Sequence, residues 1–339
     1  MMQERIDNFM MTDFYGKTIV VSGATGLIGQ HLVRQFRGVD KCRVIAIVRD
    51  REKAERVLGK EASNLSFIVS DIRYIDIKDI GAEYIIHAAS LTDSRSFVEK
   101  PVEVISVAYE GTRQILELAR KNPVKSLIFL STMEVYGTPQ TDNLISETYL
   151  GSNDTMNVRS AYPESKRLCE NLCCAYHHEY GVPIRVLRLS QTFGSGVDYN
   201  DQRVFAEFAR CVIEGKDIIL HTKGQTKRSY LEVTDACNAV LTVLKNGSDG
   251  EAYNAANEET YCSIKDMALL VAQRCAEGKI EVRFDENEMF RKESGYADTL
   301  CMNLSCEKLR VLGWKPRYGL IEMYNNLIEY MKMQVTSYD

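Results

Sequence analysis

The segment SGATGLIGQHLV, residues 22–33, constrains this chain more than any other stretch, because Gly23, Gly26 and Gly29 recur there as G-x-x-G-x-x-G. An apolar run, Thr18–Ser22, leads into it, and an amphipathic helical pattern, Ile28–Phe36, leads out. Glycines at a strand-to-helix junction permit a tight turn and let the backbone approach a pyrophosphate. The helix N-terminus then offers free N–H groups and the positive end of its dipole. A glycine motif alone is a weak signal, and its place in a first βαβ unit is what gives it meaning. Gly23, Thr25, Gly26, Leu27, Ile28 and Gly29 are therefore read as a dinucleotide cradle.

The same rhythm continues downstream. Arg43–Val48, Leu65–Ser70, Tyr84–Ala88, Ser126–Ser131 and Ile184–Leu189 are short, continuously apolar and rich in Ile and Val. That pattern suits parallel strands covered on both faces. Helical stretches such as Val102–Lys121 and Glu164–Tyr180 lie between them. Alternation of this kind predicts a doubly wound parallel α/β sheet. After about residue 190 the rhythm breaks, and isolated strands such as Asp217–His221 stand among helices. The expected organisation is an N-terminal arm, 1–16, docking on the body or on a partner subunit. A dinucleotide-binding unit, 17–190 with parts of 230–285, follows it. A smaller α/β substrate lobe, 191–230 and 285–339, packs over the sheet's C-terminal edge, where ligands bind in open α/β sheets.

Composition removes several function classes. Lys and Arg number 42 against 47 Asp and Glu, a net charge of −5, and no basic stripe of the kind a nucleic-acid binder carries is present. No apolar run approaches the ~20 residues of a spanning helix, so no membrane partner is expected. The leading residues lack the basic-then-apolar order of a secretory signal, which points to a cytoplasmic, reducing compartment. Among the 10 cysteines there is no C-x-x-C pair, so most of them are read as small buried hydrophobes and no metal site is expected.

Further cofactor contacts follow from strand ends. The second strand runs into Arg49 and Asp50, the latter about twenty residues beyond Gly29, where an acid can hold a ribose 2′-OH. Arg49 can instead meet a 2′-phosphate, so the pair points both to NAD and to NADP, leaning to NADP. Asp71 and Ile72 follow the third strand, where an Asp can meet the adenine amino group. Ala88, Ala89 and Ser90 end the fourth with side chains small enough to admit a cofactor.

The chemistry-bearing segment is SAYPESKR, in which Tyr162 and Lys166 stand at i and i+4 and share a helix face. Pro163 is tolerated in a first turn. An ammonium beside a phenol lowers its pKa, and the phenolate can take a proton from a substrate hydroxyl. By itself Tyr-x-x-x-Lys is often an ordinary surface pair. Some thirty residues earlier Thr132, in LSTMEVYG, sits at a strand's C-terminal end and can donate to the same oxygen. Glycine cradle, Thr132 and Tyr162/Lys166 in this order are far more specific than any one of them.

With these motifs the chain resembles the extended short-chain dehydrogenase/reductase superfamily, in its nucleotide-sugar epimerase/dehydratase group, from about Lys17 to Met331. The resemblance implies a Rossmann-type domain, tightly held NAD or NADP, a nucleotide-diphosphate sugar as ligand, and Thr132, Tyr162 and Lys166 as catalytic residues, with Tyr162 and Lys166 also contacting the cofactor. STMEVYG is most similar to the UDP-glucuronate decarboxylase and dTDP-glucose 4,6-dehydratase branch, whose Glu, here Glu134, acts as a base or contacts the sugar at C5. Met133 departs from that pattern, since a thioether cannot donate the proton a leaving hydroxide needs. Decarboxylation or epimerisation through a transient 4-keto sugar is therefore expected ahead of 4,6-dehydration. VLRLSQTFGSG, DQRVFAEF and GQTKRSYLEV resemble the branch's substrate motifs and imply Gln191, Arg203, Val204 and Arg228 as contacts to the nucleotide and diphosphate. LGWKP resembles a structural closing motif, and Ala108 replaces a usual Asn. Superfamily members often pair through two helices, which implies a homodimer through Val102–Lys121 and Glu164–Tyr180.

Two alternatives stay open. Arg49 favours an NADPH-dependent reductase of a nucleotide-linked sugar or alditol. A non-catalytic NAD(P)-sensing protein ranks below both, because this chain keeps Tyr162 and Lys166.

Overall fold

A computed structural model describes residues 11–285 and 299–336. The Ile- and Val-rich runs form β1 (Thr18–Ser22), β2 (Arg43–Val48), β3 (Leu65–Val69), β4 (Tyr84–His87), β5 (Ser126–Thr132) and β6 (Ile184–Leu189). Helices α1 (Leu27–Arg37), α2 (Arg51–Leu58), α3 (Ser94–Glu99), α4 (Pro101–Arg120) and α5 (Ala161–Tyr180) connect them. The chain then forms β7 (Gln191–Phe193), α6 (Val204–Glu214), β8 (Ile218–Leu220), β9 (Lys227–Glu232) and α7 (Val233–Asn246). It returns to the main sheet as β10 (Ala252–Ala255). The seven strands run in the order β10-β6-β5-β4-β1-β2-β3, every pair parallel. This is the doubly wound arrangement expected, and the order reverses between β1 and β4, where such sheets open a ligand crevice.

Each face of the sheet has its own core. Ile19, Val21, Ala46, Ile86, Ile128 and Leu187 point to one side, toward α1 and α7. Val20, Ile45, Ile85, Leu127, Phe129 and Val186 point to the other, toward α4 and α5. Alternation within continuously apolar strands is what burial on both faces requires. Pro163 falls in the first turn of α5, which starts at Ala161, three residues earlier than the apolar periodicity suggests.

The remaining elements are β11 (Asn257–Ser263), α8 (Ile264–Leu270), β12 (Val282–Phe284), β13 (Cys301–Met302), α9 (Glu307–Val311) and α10 (Leu320–Thr336). Strand β9 is flanked by β11 and β13 and also pairs with β7, while β8 pairs with β12. A separate core of Phe193, Phe205, Phe208, Tyr230, Met267 and Tyr324 holds this smaller lobe together. Packing divides the chain differently from the boundaries drawn on sequence. Leu300, Met302, Leu304, Leu309 and Trp314 join the main core, whereas Met267 and Val271 join the lobe's core. The tie is partly polar: Trp314 Nε1 donates to the Asp235 carbonyl at the start of α7, 3.1 Å away.

Of the N-terminal arm, residues 1–10 lie outside the described residues, as does 286–298 of the lobe. The described end of the arm is a 3-10 turn, Thr12–Phe14, whose buried Phe14 meets Phe36 and Tyr84 edge-on at 5.0 and 5.1 Å. Among the described residues no helix is long and apolar enough to cross a membrane. The ten cysteines are all free thiols.

Candidate active site

At the end of β1 the chain must reverse into α1 beneath the end of β4, and the space is very small. Gly23 has φ +66, and a Cβ there would lie 2.6 Å from the Ala88 carbonyl carbon. A Cβ at Gly29 would lie 2.2 Å from the Gly23 carbonyl oxygen. Only glycine satisfies both the backbone conformation and the close approach. The turn is closed by Gly26 N–H donating to Gly23 O at 2.9 Å, and Gly26 serves as the N-cap of α1.

This turn forms the floor of a cavity of about 1780 Å³. Thr25, Leu27 and Ile28 line it with the three glycines; Ala88, Ala89 and Ser90 line the wall beside them. Arg49, Asp71 and Ile72 border one end. Thr132, Glu134, Tyr162 and Lys166 stand at the centre, and Gln191, Arg203, Val204 and Arg228 close the far end under the smaller lobe. One residue expected here is absent from the lining. Asp50 caps α2, its carboxylate accepting from Lys53 N–H at 3.0 Å. Asp at this position has two uses, and here one of its oxygens serves the orphan donors of a helix start.

Tyr162 and Lys166 both sit in the first turns of α5 and are buried. The Tyr162 ring stacks on Phe97 of α3, centroids 4.2 Å apart and 11° from parallel. The lowering expected of this phenol is outweighed in the folded chain, where the net shift is upward. Burial raises the Tyr162 pKa, and the Glu134 carboxylate pushes the same way. A hydrogen bond with Thr132 and the charges of Arg159 and Arg203 oppose the rise without cancelling it. The Lys166 ammonium instead donates to the Leu130 carbonyl at 2.8 Å and lies over the Phe129 ring. Its own burial pushes its pKa down to about 8. Desolvation of both groups is the larger effect here, and sequence spacing does not report it.

Thr132 closes β5 and its hydroxyl accepts from Glu134 N–H at 3.3 Å, starting the 3-10 turn Met133–Tyr136. That turn aims Glu134 at Arg159, whose guanidinium holds both carboxylate oxygens at 2.9 and 3.4 Å. Arg159 also lies over the Phe97 ring. Sequence reasoning named neither Arg159 nor Phe97. The signal for Arg159 was its place three residues before Tyr162. For Phe97 there was none. At the far end Arg203 is held by Asp201, at 3.0 Å from Nε to Oδ1. The Nε of Arg228 is buried without a partner among the described residues.

Below the cavity, buried His87 bridges β1 and α4: Nδ1 lies 2.7 Å from Ser22 Oγ and Nε2 lies 3.1 Å from Thr112 Oγ1. Burial, with the Lys166 charge adding, pushes its pKa from 6.5 to about 3. The folded ring therefore stays neutral where the unfolded ring charges. The unfolded chain binds the extra proton between those two values, so stability falls as pH drops through that window. The melting temperature should decline across the window, and decline less steeply in His87→Gln. Identical slopes in the two proteins would assign the acid loss to other groups.

Known proteins resemble this chain over most of its length. The profile of the NAD dependent epimerase/dehydratase family matches residues 19–256. UDP-glucuronic acid decarboxylase 1 of Xenopus tropicalis is 28% identical over 94% of this chain and 73% of its own length. UDP-N-acetyl-alpha-D-glucosaminuronate decarboxylase of Bacillus cytotoxicus is 28% identical over 76% of this chain and 80% of its own. Among solved structures, UDP-glucuronic acid 4-epimerase from Bacillus cereus in complex with NAD superposes with a TM-score of 0.76. It is 20% identical and covers 94% of this chain and 99% of its own. A profile match over more than half of the chain, on a sheet and cradle of this form, makes the chain a member of the NAD dependent epimerase/dehydratase family.

Proposed function

We propose that this chain remodels the sugar of a nucleotide-diphosphate sugar through transient oxidation at C4, with decarboxylation or epimerisation as the net outcome. The observation that carries the reading is that one cavity joins the glycine cradle to Thr132, Tyr162 and Glu134. The cradle is suited to the pyrophosphate of NAD or NADP: bare backbone and a helix N-terminus face the space, and the Ala88–Ser90 wall leaves room beside it. When bound, that cofactor supplies a hydride acceptor and donor.

The protein's own groups do the rest. Tyr162 takes the proton from the sugar hydroxyl, and Thr132 holds the same oxygen. Lys166, anchored on Leu130, supplies the positive charge that stabilises a phenolate as it forms. Glu134, oriented by Arg159, acts at C5 of the keto sugar. Arg228, whose Nε is buried and unpartnered, is suited to a diphosphate or a sugar carboxylate, with Gln191, Arg203 and Val204 beside it. Met133 is buried in the wall next to Glu134 and has no proton to give a leaving hydroxide. Loss of CO2 from a β-keto acid needs no such donor. The two decarboxylases among the relatives support this outcome over dehydration.

The exposed apolar residues Val102, Ile105 and Tyr109 on α4 and Leu168 on α5 support a homodimer through these helices. Ten free thiols suit a reducing, cytoplasmic compartment. One observation favours a second reading, NADPH-dependent reduction of a nucleotide-linked sugar or alditol: Arg49 faces the cavity.

A panel of UDP-, dTDP-, GDP- and CDP-sugars, uronic acids included, should be incubated with the protein and the products followed by NMR and mass spectrometry. The expected result is loss of CO2 or inversion at one carbon of one sugar, without net consumption of NAD(P)H. Stoichiometric NADPH consumption would replace this reading with the reductase, and no turnover or binding of any sugar nucleotide would overturn both.

A further inference from the structure

We propose that the adenosine end of the cavity is built to receive a 2′-phosphate, so that Arg49 and Lys53 give this chain a preference for NADP(H) over NAD(H). The inference rests on the dinucleotide reading above and departs from the cofactor in the family's description. Arg49 immediately follows β2, and Lys53 lies in the first turn of α2; both line the cavity. Neither side chain makes a hydrogen bond or ion pair among the described residues. Arg51, between them, is by contrast committed to Glu61 at 2.7 Å and Glu55 at 3.7 Å.

The carboxylates that would read a free ribose hydroxyl are engaged elsewhere through at least one oxygen each. Asp50 is turned to the backbone of Lys53 and lies outside the cavity lining. Asp71 lines the cavity, but Arg73 takes both of its oxygens, at 2.9 and 2.8 Å. The charge of Arg49 also acts on Asp71. The lining at this end thus holds two cations without a partner among the described residues, while its Asp71 carboxylate is paired with Arg73. A 2′-hydroxyl needs an acceptor there, whereas a 2′-phosphate needs cations, best a guanidinium fork.

The test is calorimetric titration of the full chain, stripped of any carried nucleotide, with NADP+, NAD+, adenosine 2′,5′-bisphosphate and 5′-AMP. NADP+ should bind at least roughly tenfold more tightly than NAD+, and the bisphosphate more tightly than 5′-AMP, as for one added charge-assisted contact. Arg49→Ala and Lys53→Ala should each weaken NADP+ by about tenfold to a hundredfold while changing NAD+ by less than about threefold. Circular dichroism checks that both variants fold. Equal or tighter binding of NAD+, or variants that leave NADP+ unaffected, overturns this inference and leaves the dinucleotide site standing. Binding of neither dinucleotide overturns both.

Discussion

Gly29→Ala should abolish dinucleotide binding and destabilise the chain, the largest loss expected from adding one methyl group anywhere in the cradle. The new Cβ would stand 2.2 Å from Gly23 O and 2.9 Å from Ala24 Cα. Both are backbone atoms, so no rotamer change relieves the overlap, and the turn or α1 must shift bodily. Forced overpacking of this kind costs about 1–3 kcal/mol, more where the backbone is fixed. Here the backbone is tied on three sides. Gly26 N–H donates to Gly23 O, Ala88 N–H to Ser22 O at 3.2 Å, and Ala89 N–H to Ser22 Oγ at 3.3 Å. A shift of α1 also moves the N–H groups that would face a pyrophosphate. Affinity should therefore fall by more than ~100-fold, beyond what the loss of one hydrogen bond explains. Gly26→Ala is the internal comparison: its Cβ would meet only Gly23 O, at 3.2 Å, and its unfolding cost should be much smaller. Urea unfolding and calorimetric titration of both variants decide the matter. Equal stability and equal affinity in Gly29→Ala and the unmodified chain would show that this turn does not hold the dinucleotide.

How much of this could be read beforehand depended on whether the governing force was local. The strands of the main sheet announce themselves because burial on both faces demands unbroken apolar runs, and Arg43–Val48 and Ile184–Leu189 were found end to end. The smaller lobe was less legible. Its β7 has three residues, and β11 reads NEETYCS, polar everywhere but at Tyr261 and Cys262. The segment 300–314 looks like any loop-rich tail. Only the three-dimensional path of the chain brings Leu304 and Trp314 under α7 rather than into the lobe. In the site, Thr132, Tyr162 and Lys166 were legible from order and spacing because each lies at a strand end or on one helical face. Arg159 escaped because its partner, Glu134, is distant in sequence and meets it only when the turn after β5 approaches the turn before α5. The helix-capping contact of Asp50 escapes the sequence because an Asp after a strand serves equally as ribose reader and helix cap. The sign of the Tyr162 shift was missed because burial is a property of the folded whole.

Replacing Tyr162 with Phe should reduce kcat by about 10²–10⁴, the range spanned by a positioned general acid or base. The variant isolates the hydroxyl. Phe retains the ring that stacks on Phe97 at 4.2 Å and fills the same buried volume, so packing survives. What disappears is the hydrogen bond with Thr132, worth about 0.5–1.5 kcal/mol of stability. Dinucleotide affinity should change by less than about threefold, because the cradle lies in a different turn of the chain. A fall in kcat at unchanged KM marks a group that acts in the transition state rather than in binding. The pH profile adds a readout that packing cannot mimic. Burial holds the phenol above its ordinary range, so in the unmodified chain the rate should climb with pH across neutrality. In Tyr162→Phe the residual rate should lose that slope. Lys166→Met should shift the rise to higher pH instead of erasing it, since the ammonium assists ionisation without exchanging the proton. Undiminished turnover in Tyr162→Phe, or a slope that persists in it, would move the proton transfer to another group, of which Glu134, already paired with Arg159, is the next to test.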